Sequence, residues 1–327
     1  MRRSSPETGS FNEQAEIALP ESVQRRRQGC CDAQRSQRRR LSAALAGAPV
    51  YALLGGCAAP QVAKAQGQDQ PQDAGGVGVG GNSAFTGLVP AEEVEAAAAQ
   101  EFEKLKRDAA AQNALAPASH PQMQRLRYIA QRLIPQGTQW NPRASQWRWE
   151  VILVGSPELN AFCMPGGKIC FFHGILSKLR LSDAEVATIM GHEMAHALRE
   201  HSREQMGKQA ATNAGINLLS QVLGLGQAGN TLLGLGGQLL SLRFSRDDER
   251  DADLVGLEVS SRSGYAPQAA VQLWQKMIAA GSGGGVPFLS THPSGPDRIR
   301  SLEGAIPKVQ GLYNRADKPA RQFPVAT

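Results

Sequence analysis

The chain has 327 residues, of which 41% are apolar, 20% charged and 5% aromatic. It is long and apolar enough to bury one generous core or two modest ones, which excludes a wholly disordered chain, a collagen-like repeat and a polytopic membrane protein. The net charge of +6 is unevenly placed: residues 1–57 hold nine Lys/Arg and five Asp/Glu, leaving 26 and 24 to the remainder, so no nucleic-acid partner is expected.

In chain order, Arg38, Arg39 and Arg40 precede an uncharged stretch that ends Leu54-Gly55-Gly56-Cys57. A basic region, a short apolar region and small residues before a cut have the form of a secretory leader, here residues 1–57. The last four residues resemble a bacterial lipobox, which would make Cys57 a lipidated first residue and a membrane anchor. Residues 58–89, rich in Gln, Gly, Asp and Ala, read as a flexible spacer. The folded domain is expected over 90–318, with a short tail at 319–327.

Residues 91–113 and 121–134 carry apolar points at helical spacing, so two helices are expected. Trp147–Val154 is β-prone and reads as a strand. Ala161–Phe172 holds two β-prone runs about Gly166-Gly167, a hairpin. Cys163 and Cys170 are equidistant from the centre of that turn. A two-residue loop would set them opposite each other, compatible either with a cross-strand disulfide or with two buried thiols.

Ser182-Asp183-Ala184-Glu185 is a capping box opening a helix that runs through His192-Glu193-Met194-Ala195-His196. His192 and His196 are four apart, share one helix face and can bind one ion. Glu193 follows the first histidine and can sit beside the ion without ligating it, as suits a base that deprotonates water. A third ligand must come from elsewhere. His201, nine positions after His192 on a continuous helix, falls off the ligand face and reads as a surface residue or one backing the ligands. The acidic run Arg246–Gly256 offers Glu249 and Asp253, four apart; one could ligate while the other accepts the free N–H of a liganding histidine. Between these segments Gln209–Leu242 is uncharged but broken by Asn, Gln and Gly, and reads as a plug over the catalytic helices or an apolar surface rather than a membrane span. An apolar-striped helix over 267–279 and a glycine run at 281–285 precede Thr291-His292-Pro293.

At this point the sequence resembles the zinc metallopeptidases related to HtpX, the CAAX prenyl endopeptidases and the periplasmic BepA and LoiP. The resemblance covers roughly residues 120–310. It rests on Asn160-Ala161-Phe162 with Pro165-Gly166-Gly167, the His192–His196 motif, Ser245–Asp253, and Thr291-His292-Pro293 with Arg298-Ile299. It implies one zinc ion per chain held by His192, His196 and Glu249, with Glu193 as general base and Asp253 behind the ligands. His292 would stabilise the transition state or mask the resting metal, and Arg298 matches the family's arginine after that loop. Asn160, Ala161, Phe162, Pro165, Gly166 and Gly167 would hold extended substrate by strand addition.

The expected fold is α+β, a mostly helical, gluzincin-like domain with a small sheet and hairpin bordering the cleft. The expected function is zinc-dependent endopeptidase activity on unfolded or misfolded proteins, with family context pointing to stalled outer-membrane proteins. The layout is expected to be nearest BepA and LoiP without a repeat domain, at the periplasmic face of the outer membrane. The runner-up is a chaperone or assembly factor with a masked zinc site.

Overall fold

The computed structural model describes residues 76–222, 239, 242–281, 286–292 and 296–327. The expected leader, Cys57 and the first part of the spacer lie outside the described residues.

Helix α1 (Ala91–Ala111) starts with Glu92 and Glu93 in its first turn, where carboxylates suit the helix dipole, and buries Val94, Ala98 and Phe102. Helix α2 (Pro121–Gly137) is capped by His120, whose ring nitrogen accepts from the Gln122 N–H, and buries Met123, Leu126, Ile129 and Leu133. Three strands follow: β1 (Glu150–Val154), β2 (Ala161–Met164) and β3 (Lys168–Phe172). The sheet order is β1-β3-β2, with β1 parallel and β2 antiparallel to β3. The central strand is buried at every residue, and among the described residues β2 is left as an edge.

The hairpin turn differs from the two-residue loop considered from sequence. Met164 pairs with Lys168, so Pro165, Gly166 and Gly167 all lie in the loop. Gly166 and Gly167 have φ of 79° and 77°, and a Cβ on Gly167 would lie 2.6 Å from the Trp149 ring, so glycine is needed there twice over. The extra loop residue shifts the register: Cys163 opposes Ile169 and Cys170 opposes Phe162. Since side chains alternate along a strand, the two cysteines fall on opposite faces, and both are buried free thiols.

Helix α3 (His173–Lys178) leads to α4 (Asp183–Leu198), where the Ser182/Glu185 capping box forms as expected. Helices α5 (His201–Val222), α6 (Arg246–Arg262), α7 (Ala269–Gly281), α8 (Pro287–Thr291) and α9 (Pro296–Arg315) follow. Helix α6 has its own capping box, Ser245 with Asp248. Helix α4 is buried at every position from Glu185 to Leu198 and packs on α2, α6, α7 and β2. It meets α6 backbone to backbone: a Cβ on Gly191 would lie 2.8 Å from the Gly256 carbonyl, and one on Gly256 would lie 2.6 Å from the His192 nitrogen. Two glycines therefore set how close the two acidic and histidine-bearing helices come.

Segments flanking the expected domain are packed against it at both ends. Residues 76–89, assigned to the spacer on composition, pack onto the fold: the Val77 N–H donates to Glu258 Oε2 at 2.7 Å, and Val77 and Val89 are buried. The expected tail turns back on α2 and α4, with the Phe323 N–H donating to Asp183, Gln122 donating to the Pro324 carbonyl, and Ala326 buried. In both places backbone hydrogen bonds, which composition does not report, supply the anchorage. Part of the uncharged run is helical in α5, and Leu239 and Leu242 are buried; the stretch from 223 to 238 lies outside the described residues. Among the described residues no helix is long and apolar enough to cross a membrane.

Candidate metal centre and cleft

Helix α4 carries His192 and His196 on one face, one turn apart, and α6 brings Glu249 against them. His196 Nε2 lies 3.1 Å from His192 Nε2 and 3.4 Å from Glu249 Oε1, and His192 Nε2 is 3.6 Å from Glu249 Oε2. His292, just after α8, adds a fourth group: its Nδ1 is 3.3 Å from His192 Nε2 and 2.9 Å from Glu249 Oε1. One ligand atom from each of the four lies within 4.8 Å of the others, and all four residues are buried.

These separations test the fit of a metal. Ligands about 2.0–2.1 Å from a tetrahedral ion stand about 3.3 Å apart, and the His192, His196 and Glu249 atoms bracket that value. The donor set, two imidazole nitrogens and a carboxylate, is one that zinc takes. Burial pushes the His192 and His196 rings below the usual imidazole range, leaving neutral rings with lone pairs to offer. Burial alone would raise Glu249, but His292 and His196 more than offset it and hold the carboxyl well below its usual range. The residues fit a zinc ion.

Glu193 sits beside the cluster. Burial raises its carboxyl to about 7 against the opposing pull of His292, and its Oε1 is buried without a hydrogen-bond partner among the described residues, with His292 Nε2 3.5 Å away. His292 itself is pushed down by burial but raised overall by Glu193 and Glu249. It stacks on Phe288 with ring centroids 4.4 Å apart.

Behind the ligands, Asp253 Oδ1 lies 3.1 Å from His192 Nδ1, the contact expected of a carboxylate that fixes a ligand's tautomer. Arg298 pairs with Asp253 and, at 2.6 Å, with Glu249 Oε2, while its guanidinium lies 3.5 Å from the Trp274 ring centroid. Asp253 would be raised by burial, yet Arg298 and His192 leave it lowered. Sequence reasoning placed Arg298 near the site but gave no sign that it neutralises two carboxylates at once.

His201 is buried and its Nδ1 is 3.0 Å from His196 Nδ1. Of the two readings open from sequence, the one behind the ligands holds. Helix α4 ends at Leu198 and Glu200 takes a left-handed φ of 57°, so His201 opens a new helix turned back toward His196. The displacement calculated for a continuous helix does not apply.

A cleft opens over the cluster. Asn160, Ala161, Phe162, Cys163, Met164 and Pro165 form one wall, and Leu239, Leu242 and Phe244 are on the lining with Glu193, His196 and His292. Gly166 and Gly167 are not on that lining; they shape the turn against Glu95 and Trp149. Phe244, unremarked in the sequence, stacks on His196 at 3.9 Å between ring centroids, and its N–H donates to the Thr291 carbonyl.

Comparison with known proteins agrees with this geometry. The chain is 38% identical over 176 residues to mitochondrial metalloendopeptidase OMA1 of Schizosaccharomyces pombe, covering 53% of this chain and 51% of that protein. It is 39% identical over 157 residues to the Arabidopsis thaliana protein of the same name, covering 48% and 31%. To the Escherichia coli beta-barrel assembly-enhancing protease it is 28% identical over 159 residues, covering 45% and 32%. The chain thus spans about half or less of the length of these relatives. Identity is higher to these two mitochondrial proteins than to the bacterial one, so kinship is shown to the family as a whole and not to the HtpX and BepA branch in particular. The same finding overturns the expected placement as a periplasmic, outer-membrane lipoprotein: a short leader-like pattern in the first 57 residues was a weaker guide than identity across the folded domain. The profile of Peptidase family M48 matches residues 118–306, more than half of the chain and every residue of the cluster, and the chain belongs to peptidase family M48.

Proposed function

We propose that the protein is a zinc-dependent endopeptidase acting on unfolded or misfolded protein segments. The observation that carries this reading is the convergence of His192 Nε2, His196 Nε2 and the Glu249 carboxylate at the separations a tetrahedral ion requires, with Glu193 beside them. The cofactor is zinc, held by those three residues. When bound, it supplies Lewis acidity that acidifies water and polarises a carbonyl. Glu193 accepts the proton of the attacking water and delivers it to the leaving amine. His292, flanked by Glu193 and Glu249, donates a hydrogen bond to the carbonyl oxygen as it gains charge. Asp253, held in place by Arg298, accepts from His192 Nδ1–H and so keeps the tautomer that presents Nε2.

The substrate class follows from the edge strand. Asn160, Ala161, Phe162 and Pro165 border the cleft on and beside β2, which among the described residues has a neighbour on one side only. A polypeptide can add there as a further strand only if it lacks structure of its own, which favours a role in protein quality control. Gly166 and Gly167 contribute by shaping the turn. The catalytic domain includes residues 90–318, with the flanking segments hydrogen-bonded to it through Val77 and Phe323.

The second reading, an assembly factor or chaperone with a masked site, draws on His292 Nδ1 standing within the ligand group itself. Glu193→Gln decides between them. On the peptidase reading it keeps zinc and loses cleavage of casein by about 10²–10⁴-fold. Undiminished cleavage by the variant overturns the assigned base. If neither protein cleaves and both suppress aggregation, the second reading replaces the first.

A further inference from the structure

His196 offers one ring nitrogen to the ligand cluster, and the other meets His201: the two Nδ1 atoms are 3.0 Å apart. Two nitrogens at that distance share a single hydrogen, so one ring donates and the other accepts. His201 Nε2 in turn lies 3.2 Å from Asp251 Oδ2. With both rings neutral, a carboxylate at that end admits one arrangement. His201 must carry its hydrogen on Nε2 to donate to Asp251, which leaves Nδ1 as an acceptor and makes His196 the donor through Nδ1–H. His196 Nε2 is then left with a lone pair aimed at the cluster. In the reverse arrangement, a lone pair on His201 would face a carboxylate and His196 Nε2–H would point where a ligand is needed.

The far end of this chain is also fixed. Arg199 Nε donates to the same Asp251 oxygen at 2.6 Å, and Arg199 Nη2 donates to the Gly80 carbonyl, so the segment before α1 is joined to the group. Arg199 and His201 are buried, and the main chain accepts a left-handed glutamate at position 200 between them. On the side away from the cluster, His192 Nδ1 meets the Asp253 carboxylate directly, whereas His196 Nδ1 is linked to Asp251 through a second imidazole.

We infer that His201 and Asp251 are positioning residues for His196, fixing its tautomer and ring orientation through the relay Asp251–His201–His196, with Arg199 holding the outer end. This rests on His196 being a zinc ligand, so the experiment reads zinc binding in the full chain as well as the relay. Zinc dissociation constants are measured by competition with a chromophoric chelator, cobalt-loaded protein is examined for its visible bands, and the melting of metal-free protein is recorded. His201→Leu weakens zinc binding by about 10–100-fold and alters the cobalt bands. His201→Gln, whose amide can accept at one end and donate at the other, stays within about threefold of wild type. Asp251→Ala weakens binding when His201 is present and adds no further loss to His201→Leu.

A role confined to packing would lower the melting of the metal-free protein and leave the cobalt bands unchanged, which overturns the relay. Zinc affinity equal to wild type in folded His201→Leu, or a His201→Gln as weak as the leucine variant, overturns it also. If His201→Leu does not fold, His201→Gln is set against His201→Asn, which is polar but too short to bridge His196 and Asp251; equal affinities overturn the relay. Wild-type protein that binds no zinc defeats the reading of the cluster and the relay together, whereas wild-type binding with unchanged variants defeats the relay alone.

Discussion

Gly256→Ala tests whether the backbone contact between α4 and α6 sets the geometry of the site. Judged by helix propensity alone the change is favourable, worth about 0.8–1.0 kcal/mol in a helix interior. In place, the new Cβ would lie 2.6 Å from the His192 nitrogen and 2.8 Å from the Gly191 carbonyl carbon. Carbon contacts settle near 3.5 Å, so the helices must part by about 0.9 Å. Both offending atoms are backbone, so no side chain can rotate away. Overpacking of this kind costs about 1–3 kcal/mol, and after the helical gain the metal-free protein loses at most about 2 kcal/mol. The larger effect falls on the site. Glu249 stands 3.4 Å from His196 and 3.6 Å from His192 across that same helix pair. A constellation of this type tolerates about 0.5 Å. Zinc affinity should therefore fall, and kcat/KM for casein should drop about 100-fold, a loss out of proportion to the change in melting. A Gly256→Ala protein that melts higher, binds zinc as wild type and cleaves at the wild-type rate would refute the claim that this contact spaces the ligands.

Other consequences can be checked separately. Arg298→Ala leaves the buried Glu249 and Asp253 carboxylates without their shared cation, and breaking such a pair costs about 3–5 kcal/mol, to be read in denaturant unfolding of the metal-free protein. Chelation of zinc removes the charge that holds the converging His192, His196 and Glu249 atoms together; loaded protein with free zinc at 100 times its dissociation constant should be about 2.7 kcal/mol more stable than the stripped form. Cys163 and Cys170 lie on opposite faces of the hairpin with thiols pushed up by burial, so mild oxidant should give no intramolecular disulfide, and alkylation detected by mass should require unfolding. Burial lowers the His120 and His173 rings, so the unfolded chain binds their protons first and stability is lost as pH falls through the unfolded value of 6.5. The double variant His120→Asn, His173→Gln, which keeps a capping side chain at 120, should show a shallower decline in melting between pH 7 and 5 for the metal-free protein.

The parts of the site that could be read from the sequence are those in which helical periodicity converts a sequence interval into a distance. Four residues from His192 to His196, and four from Glu249 to Asp253, each make one turn of an unbroken helix, and both helices open on capping boxes. The hairpin followed for a similar reason, because two glycines mark a turn, although the count of residues in the loop fixed the register and moved the cysteines apart. Where the chain turns, the conversion fails. Nothing in the side chain of Glu200 announces a left-handed backbone, and one such residue carries His201 from beyond the ligand face to 3.0 Å from His196. The union of the two helices is less visible still: Gly191 and Gly256 are 65 positions apart, and each taken alone is only a weak point in a helix. Their meaning is reciprocal, since the missing side chain of one makes room for the backbone of the other. The same holds for Arg298, whose charge has a use only once Glu249 and Asp253 are side by side. The sequence motif thus specifies the chemistry of the ligands, while their spacing and orientation depend on groups outside the set of ligands, and it is at those groups that a substitution should separate zinc binding from folding.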